Sequence, residues 1–98
     1  MDYNYDIVVD TELGERRGSL ALRAQEQNCH GTLHLLRADN EVSGEILDGG
    51  EVRLAGKLRT LLHSIPFTAH GWLDAQKIAL TLCYGHRRLS IRGTAKGE

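Results

Sequence analysis

Ninety-eight residues make one domain near the commonest domain size, long enough for a single core without metal or disulfide support. A composition 41% hydrophobic and 26% charged excludes a disordered chain, and a net charge of -1 supplies no bulk field toward nucleic acid or anionic lipid. No apolar run approaches the ~20 residues that span a bilayer, and the acidic start "MDYNYD" lacks the basic and apolar pattern of a secretory signal. The cytoplasm is therefore the expected compartment, with no membrane contact.

Taken from the N-terminus, the chain reads with a period of two, the signature of half-buried strands. In the first run Tyr3, Tyr5, Ile7, Val9 and Thr11 share one face, against Asn4, Asp6, Asp10 and Glu12. The second run turns Gly18, Leu20 and Leu22 inward, and the third Cys29, Gly31, Leu33 and Leu35. "RADNE" follows as a polar loop, then a fourth run with Val42, Gly44 and Ile46 inside. "LDGGEV" reads as a tight hairpin that sets Asp48 opposite Val52, Ile46 opposite Leu54 and Gly44 opposite Gly56, leaving Asp48 the one plausible inward carboxylate. The fifth run has Val52, Leu54, Gly56 and Leu58 inside and Arg53, Lys57 and Arg59 outside. Phe67, Ala69, Gly71 and Leu73 form the sixth, with Pro66 at its start, where a missing N–H is tolerated. After the polar loop "LDAQK", Ile78, Leu80, Leu82 and Tyr84 form the seventh. "CYGHRR" suits a type II′ turn pairing Tyr84 with Arg87, and Leu89, Ile91 and Gly93 complete the eighth.

Glycines at 18, 31, 44, 56, 71 and 93 all fall on inward faces, the first five spaced by 12 to 15 residues. Glycine inside a strand is costly, and sharp coiling of a closing sheet is one cause common to all six. Eight short strands joined by hairpins predict an all-β, antiparallel up-and-down meander closed into a small barrel over residues 1–98, because an even count lets the last strand pair with the first and removes both edges. A two-sheet β-sandwich is the alternative. The predicted barrel resembles the calycin architecture of lipocalins and streptavidin in its meander alone. The Gly-x-Trp signature of lipocalins is not matched: here Gly71 and Trp72 are adjacent and late in the chain.

"NCHGTLHLLR" places Cys29, His30 and His34 close in sequence. On a strand Cys29 faces in while His30 and His34 face out about 13 Å apart at ~3.3 Å per residue, too far to share a zinc ion. Cys29 and Cys83 fit no ligand spacing and no disulfide framework. No nucleophile elbow, HExxH or phosphate loop occurs, so no catalytic residue, cofactor or metal is assigned and a non-enzymatic role is favoured. Arg53, Lys57 and Arg59, with His70 and Trp72 alongside and Arg88 and Arg92 on the eighth strand, could grip a nucleic-acid backbone, but nearby acids and few aromatics make a solvated exterior the plainer reading. Outward Leu36, Leu47, Leu61 and Trp72 predict self-association, most simply a homodimer.

The connections after strands one, three, five and seven collect at one barrel end, gathering Leu13, Arg37, His63, Phe67, Tyr84 and Arg87. Two functions follow for a small protein of bacterial type. In one, a small amphipathic or anionic ligand binds at this mouth, with Arg37 and Arg87 for its negative group, Tyr84 and Phe67 as apolar walls and His63 as a rim donor. In the other, Tyr84 and Arg87 plug a solid barrel that serves as a structural or protein-interaction module.

Overall fold

The computed structural model describes residues 1–35, 37–59 and 62–96. It contains β1 (Asp2–Thr11), β2 (Gly14–Gln25), β3 (Asn28–Leu35), β4 (Ala38–Ile46), β5 (Glu51–Arg59), β6 (Ser64–Leu73), β7 (Lys77–Tyr84) and β8 (Arg87–Ala95). Each strand pairs antiparallel with its sequence neighbours, and β8 pairs with β1 through Tyr5↔Ala95 to Asp10↔Ser90, so the sheet closes into a barrel and the sandwich alternative falls. Among the described residues no helix is long and apolar enough to cross a membrane.

The period-two pattern decides the inside. Every inward position named above except Asp48 is buried or half-buried, and the opposed acidic and basic positions are exposed. Among the described residues nineteen buried apolar side chains fill the interior, with Val9, Val52 and Leu82 wholly enclosed. Burial of this kind contributes about 25 cal/mol per Å² of apolar surface removed from water and is what favours closure.

The inward glycines act on the spacing between neighbouring backbones. A Cβ on Gly31, Gly44 or Gly71 would stand 1.8–1.9 Å from the carbonyl oxygen of Ala21, Arg53 or Ala79, each the residue before the glycine's cross-strand partner Leu22, Leu54 or Leu80. Their missing side chains let neighbouring backbones close on each other rather than leaving room in the lumen. The close approaches fall on alternate strand pairs: β2–β3 at Gly18 and Gly31, β4–β5 at Gly44 and Gly56, β6–β7 at Gly71 and β8–β1 at Gly93.

Two connections depart from the sequence reading. Between β4 and β5 the register is Ile46↔Val52, Gly44↔Leu54 and Val42↔Gly56, shifted by two residues from that expected. Gly49 and Gly50 both take positive φ, so all of Asp48–Gly50 is used in the turn, closed by the Leu47 N–H donating to the Glu51 carbonyl at 2.7 Å. A shift of two preserves which face is inward, so the core is unaffected while Asp48 is exposed in the turn instead of inward. Between β3 and β4, Leu35 pairs with Ala38, and most of "RADNE" lies in β4. Asn40 is consequently buried, at 1% exposure. Its Nδ2 donates to the Leu33 carbonyl at 3.0 Å and the Ala38 carbonyl at 3.2 Å, and its Oδ1 accepts the Arg59 N–H at 2.7 Å. The amide bridges β4 and β5 where their backbone ladder has already ended at Val42↔Gly56.

Candidate functional site

The barrel has a laced end and an open end. At the laced end the Tyr5 hydroxyl donates to the Asp74 carbonyl, and the Asp74 carboxylate accepts the N–H groups of Gln76 and Lys77 at 2.7 and 2.8 Å. Those two bonds hold the Asp74 carboxyl below its ordinary value. Burial, then Tyr3 and Asp74 nearby, push the Tyr5 hydroxyl up to about 12. The Tyr3 and Tyr5 rings stack with centroids 6.2 Å apart.

The open end is formed by the connections after β1, β3, β5 and β7. In the first, Thr11 Oγ1 accepts the Leu13 N–H at 3.2 Å and donates to the Gly14 carbonyl at 2.6 Å. That turn leaves Leu13 83% exposed, and Leu62 in the β5–β6 connection is 82% exposed. Between β7 and β8, Gly85 takes φ +56° without a positive φ at His86, which suits a type II′ turn, and Tyr84 pairs with Arg87 as the sequence predicts.

A cavity of about 600 Å³ opens here. Buried Val9, Leu35 and Leu58 line its depth; Leu13, Ile65, Tyr84 and Leu89 continue the apolar surface outward, and Glu12, Arg16, His86 and Arg87 stand at the rim. Arg87 Nη1 lies 3.2 Å from Glu12 Oε1, both largely exposed. Such a pair contributes about 0–1 kcal/mol and is readily exchanged for another anion. Arg16 Nη1 donates to the Glu15 carbonyl at 3.1 Å.

Of the five residues predicted for a ligand, Tyr84 and Arg87 line this cavity. Phe67 does not: it is buried in the barrel, with ring carbons 3.1–3.2 Å from where a Gly56 Cβ would stand. Arg37, at φ +63°, and His63 are exposed at the same end but outside the lining. Arg16 was missed, although it shares parity with Gly18, Leu20 and Leu22 and so extends the inward face of β2 to the mouth. Of the predicted self-association residues, Trp72 is 46% exposed and Leu47 half-buried in its turn; Leu36 and Leu61 lie outside the described residues.

The two histidines and the cysteine of the third strand stand as its alternation requires. His30 and His34 are exposed, and His34 pairs with Asp39. Cys29 is buried and Cys83 half-buried, both as free thiols. Burial first, then Glu45, pushes the Cys29 thiol up and away from the reactive thiolate. Among the described residues no group of three or more His, Cys, Asp or Glu could hold a metal ion. No protein-family model, curated protein or solved structure matches this chain.

Proposed function

We propose that the protein is a non-enzymatic binding module that takes a small amphipathic anion at the open mouth of its barrel. The observation that carries this reading is the cavity of about 600 Å³ beside Tyr84 and Arg87, apolar in depth and charged at the rim. Pockets of roughly 300–1,000 Å³ with an apolar lining and a few polar groups suit small ligands. Arg87 and Arg16 would receive the negative group, with Arg87 exchanging Glu12 for it. Tyr84, Leu13 and Leu89 would flank the apolar part.

Thermal shift with a panel of fatty acids and small carboxylates tests the reading. A true ligand at about a hundred times its dissociation constant adds about 2.7 kcal/mol of stability. That gain should shrink in Arg87→Ala and again in Arg16→Ala. If no compound raises the melting temperature, the mouth is a plug and the assignment is withdrawn.

Trp72 favours a second reading, a solid barrel that binds protein through its outer face. A tryptophan 46% exposed on a strand is the type of residue that anchors interfaces. Loss of self-association or partner capture in Trp72→Ala, with ligand shifts absent, would favour that reading over the first.

A further inference from the structure

The net charge of -1 conceals a division along the chain. Residues 1–50 carry four basic and ten acidic side chains, a formal charge of -6. Residues 51–96 carry eight basic and two acidic, a formal charge of +6, and Glu98 completes the total. Since strands follow one another around the barrel, the first half is one side of it and the second half the other. Acid and base therefore meet along two lines, β8–β1 and β4–β5.

The two lines are not alike. At β8–β1 the charges are matched within the chain: Arg92 Nη2 lies 3.2 Å from Glu15 and 3.6 Å from Asp10, and Arg87 pairs with Glu12. Along β4–β5, Asp39, Glu41 and Glu45 stand outward on one strand and Arg53, Lys57 and Arg59 on the other, all exposed. Among the described residues no ion pair joins the two strands; Arg53 pairs with Glu51 on its own strand and Asp39 with His34 on β3. Small Ser43 and Ala55 face each other between the charges. A groove of about 720 Å³ runs there, with Thr32, Glu41 and Ser43 toward one side and Lys57, Arg59 and Ser64 toward the other.

We propose that the β4–β5 face is a self-association surface and that its occupant is a second copy of this chain. A half-turn about an axis parallel to the strands and running between them lays the β4 of one copy over the β5 of the other at equal height. Glu45 then meets Arg53 of the second copy, Glu41 meets its Lys57, and Asp39 meets its Arg59. Every contact occurs twice, as two-fold symmetry requires. Ser43 and Ala55 leave the centre low enough for the faces to meet. A polyanion would satisfy β5 alone and meet repulsion from β4 immediately beside it, whereas a second copy matches both strands. The surface lies outside the mouth, so the proposal is independent of the first reading, and it does not contain Trp72, the residue that carries the second.

Sedimentation equilibrium at high protein concentration tests it, first in about 0.01 M salt, where charges act over ~30 Å, then in about 1 M, where they act over ~3 Å. The wild type should dimerise in the first and dissociate in the second. Two double variants then isolate the face: Lys57→Glu with Arg59→Glu, and Glu41→Lys with Glu45→Lys. Each alone should be monomeric, because both strands then carry mainly one sign, and an equimolar mixture should form heterodimers. A role confined to one chain cannot produce that rescue. Circular dichroism checks the fold; if either double variant is unfolded, Glu41→Gln and Lys57→Gln replace them, and each should weaken the wild-type dimer roughly tenfold or less, as exposed pairs do. A wild type monomeric at low salt overturns the proposal. So does a dimer insensitive to all these changes, or a protein that binds single-stranded oligonucleotide but not itself.

Discussion

The two ends of the barrel are built from the same strands and carry different duties. At the laced end the connections are bonded to one another: Met1 and Ala24 exchange backbone bonds at 2.8 and 2.9 Å, the Ile46 N–H reaches the Gln27 carbonyl, and the Ala95 N–H reaches the Gln76 carbonyl. Tyr5 closes the lumen beneath them. At the open end the Thr11 bonds stay within their own turn, the Arg87–Glu12 pair is exposed, and two leucines stand in solvent. The difference teaches that the connections are tied to one another at one end, which leaves the other able to expose apolar surface.

Substitution at matched positions can break that comparison, and the largest effect is expected at Tyr5. Tyr5→Ala removes a ring that is 1% exposed and should cost about 3–5 kcal/mol in denaturant unfolding. Tyr84→Ala at the open end should cost about 1 kcal/mol, since its ring is only half-buried. Equal losses would mean that the ends do not differ. Alkali probes the same contrast. The Tyr5 hydroxyl ionises near 10.0 when unfolded and at about 12 when folded, so its contribution is intact below the lower value and is lost as pH rises between them. Tyr5→Phe should flatten the decline in melting temperature across that window, and an unchanged slope would reject the assignment.

The glycines give the next contrast. Gly44→Val places a side chain against a backbone oxygen 1.8 Å from its Cβ, and should cost at least the ~3 kcal/mol that marks severe overpacking. Gly85 has nothing within 4 Å, so Gly85→Asn should cost about 1 kcal/mol from its φ of +56° alone. In expected cost Asn40 lies between the two glycines. Asn40→Ala strands the Arg59 N–H and should cost about 1–3 kcal/mol, with faster hydrogen exchange at Arg59 as the specific readout. Smallest of all, Leu13→Ser should leave stability within about 0.5 kcal/mol while lowering any thermal shift produced by an amphipathic anion. If stability drops instead, Leu13 is a packing residue and the mouth is less open than its 83% exposure indicates.

Strand faces, strand count and closure were legible because alternation fixes burial and an even number of strands removes edges. The Tyr84↔Arg87 pairing was legible because glycine at the first turn position narrows the choice to one geometry. The β4–β5 register was not, since "DGG" permits two loop lengths that bury the same side chains. Asn40 was misread because a polar residue between strands resembles a loop, and only the parting of β4 from β5 gives its amide partners. Phe67 was placed at the mouth from its position in the chain, whereas its ring packs against Gly56. The opposed charges of the two halves were present in the sequence throughout; a whole-chain sum hides them.

The β1–β8 pairing has a consequence for how the chain folds. Every other strand pair joins sequence neighbours, while this one brings Tyr5 to Ala95 and Asp10 to Ser90. Local hairpins can form early, and the distant pairing is the slow one because its closure entropy must be met before its contacts form. Until then the sheet has two open edges, and outward Asp2, Asp6 and Asp10 on β1 place charge along one of them, which discourages pairing between chains. Residue 96 also meets the first strand at the laced end, where the Lys96 N–H donates to the Asn4 carbonyl at 3.0 Å. A circular permutant with the chain ends linked and the chain opened between Gly85 and His86 would turn β8–β1 into a local hairpin and β7–β8 into the distant pairing. Its barrel should keep the same strand order, with its last-forming contacts moved from Ile7↔Gly93 to Leu80↔Ile91.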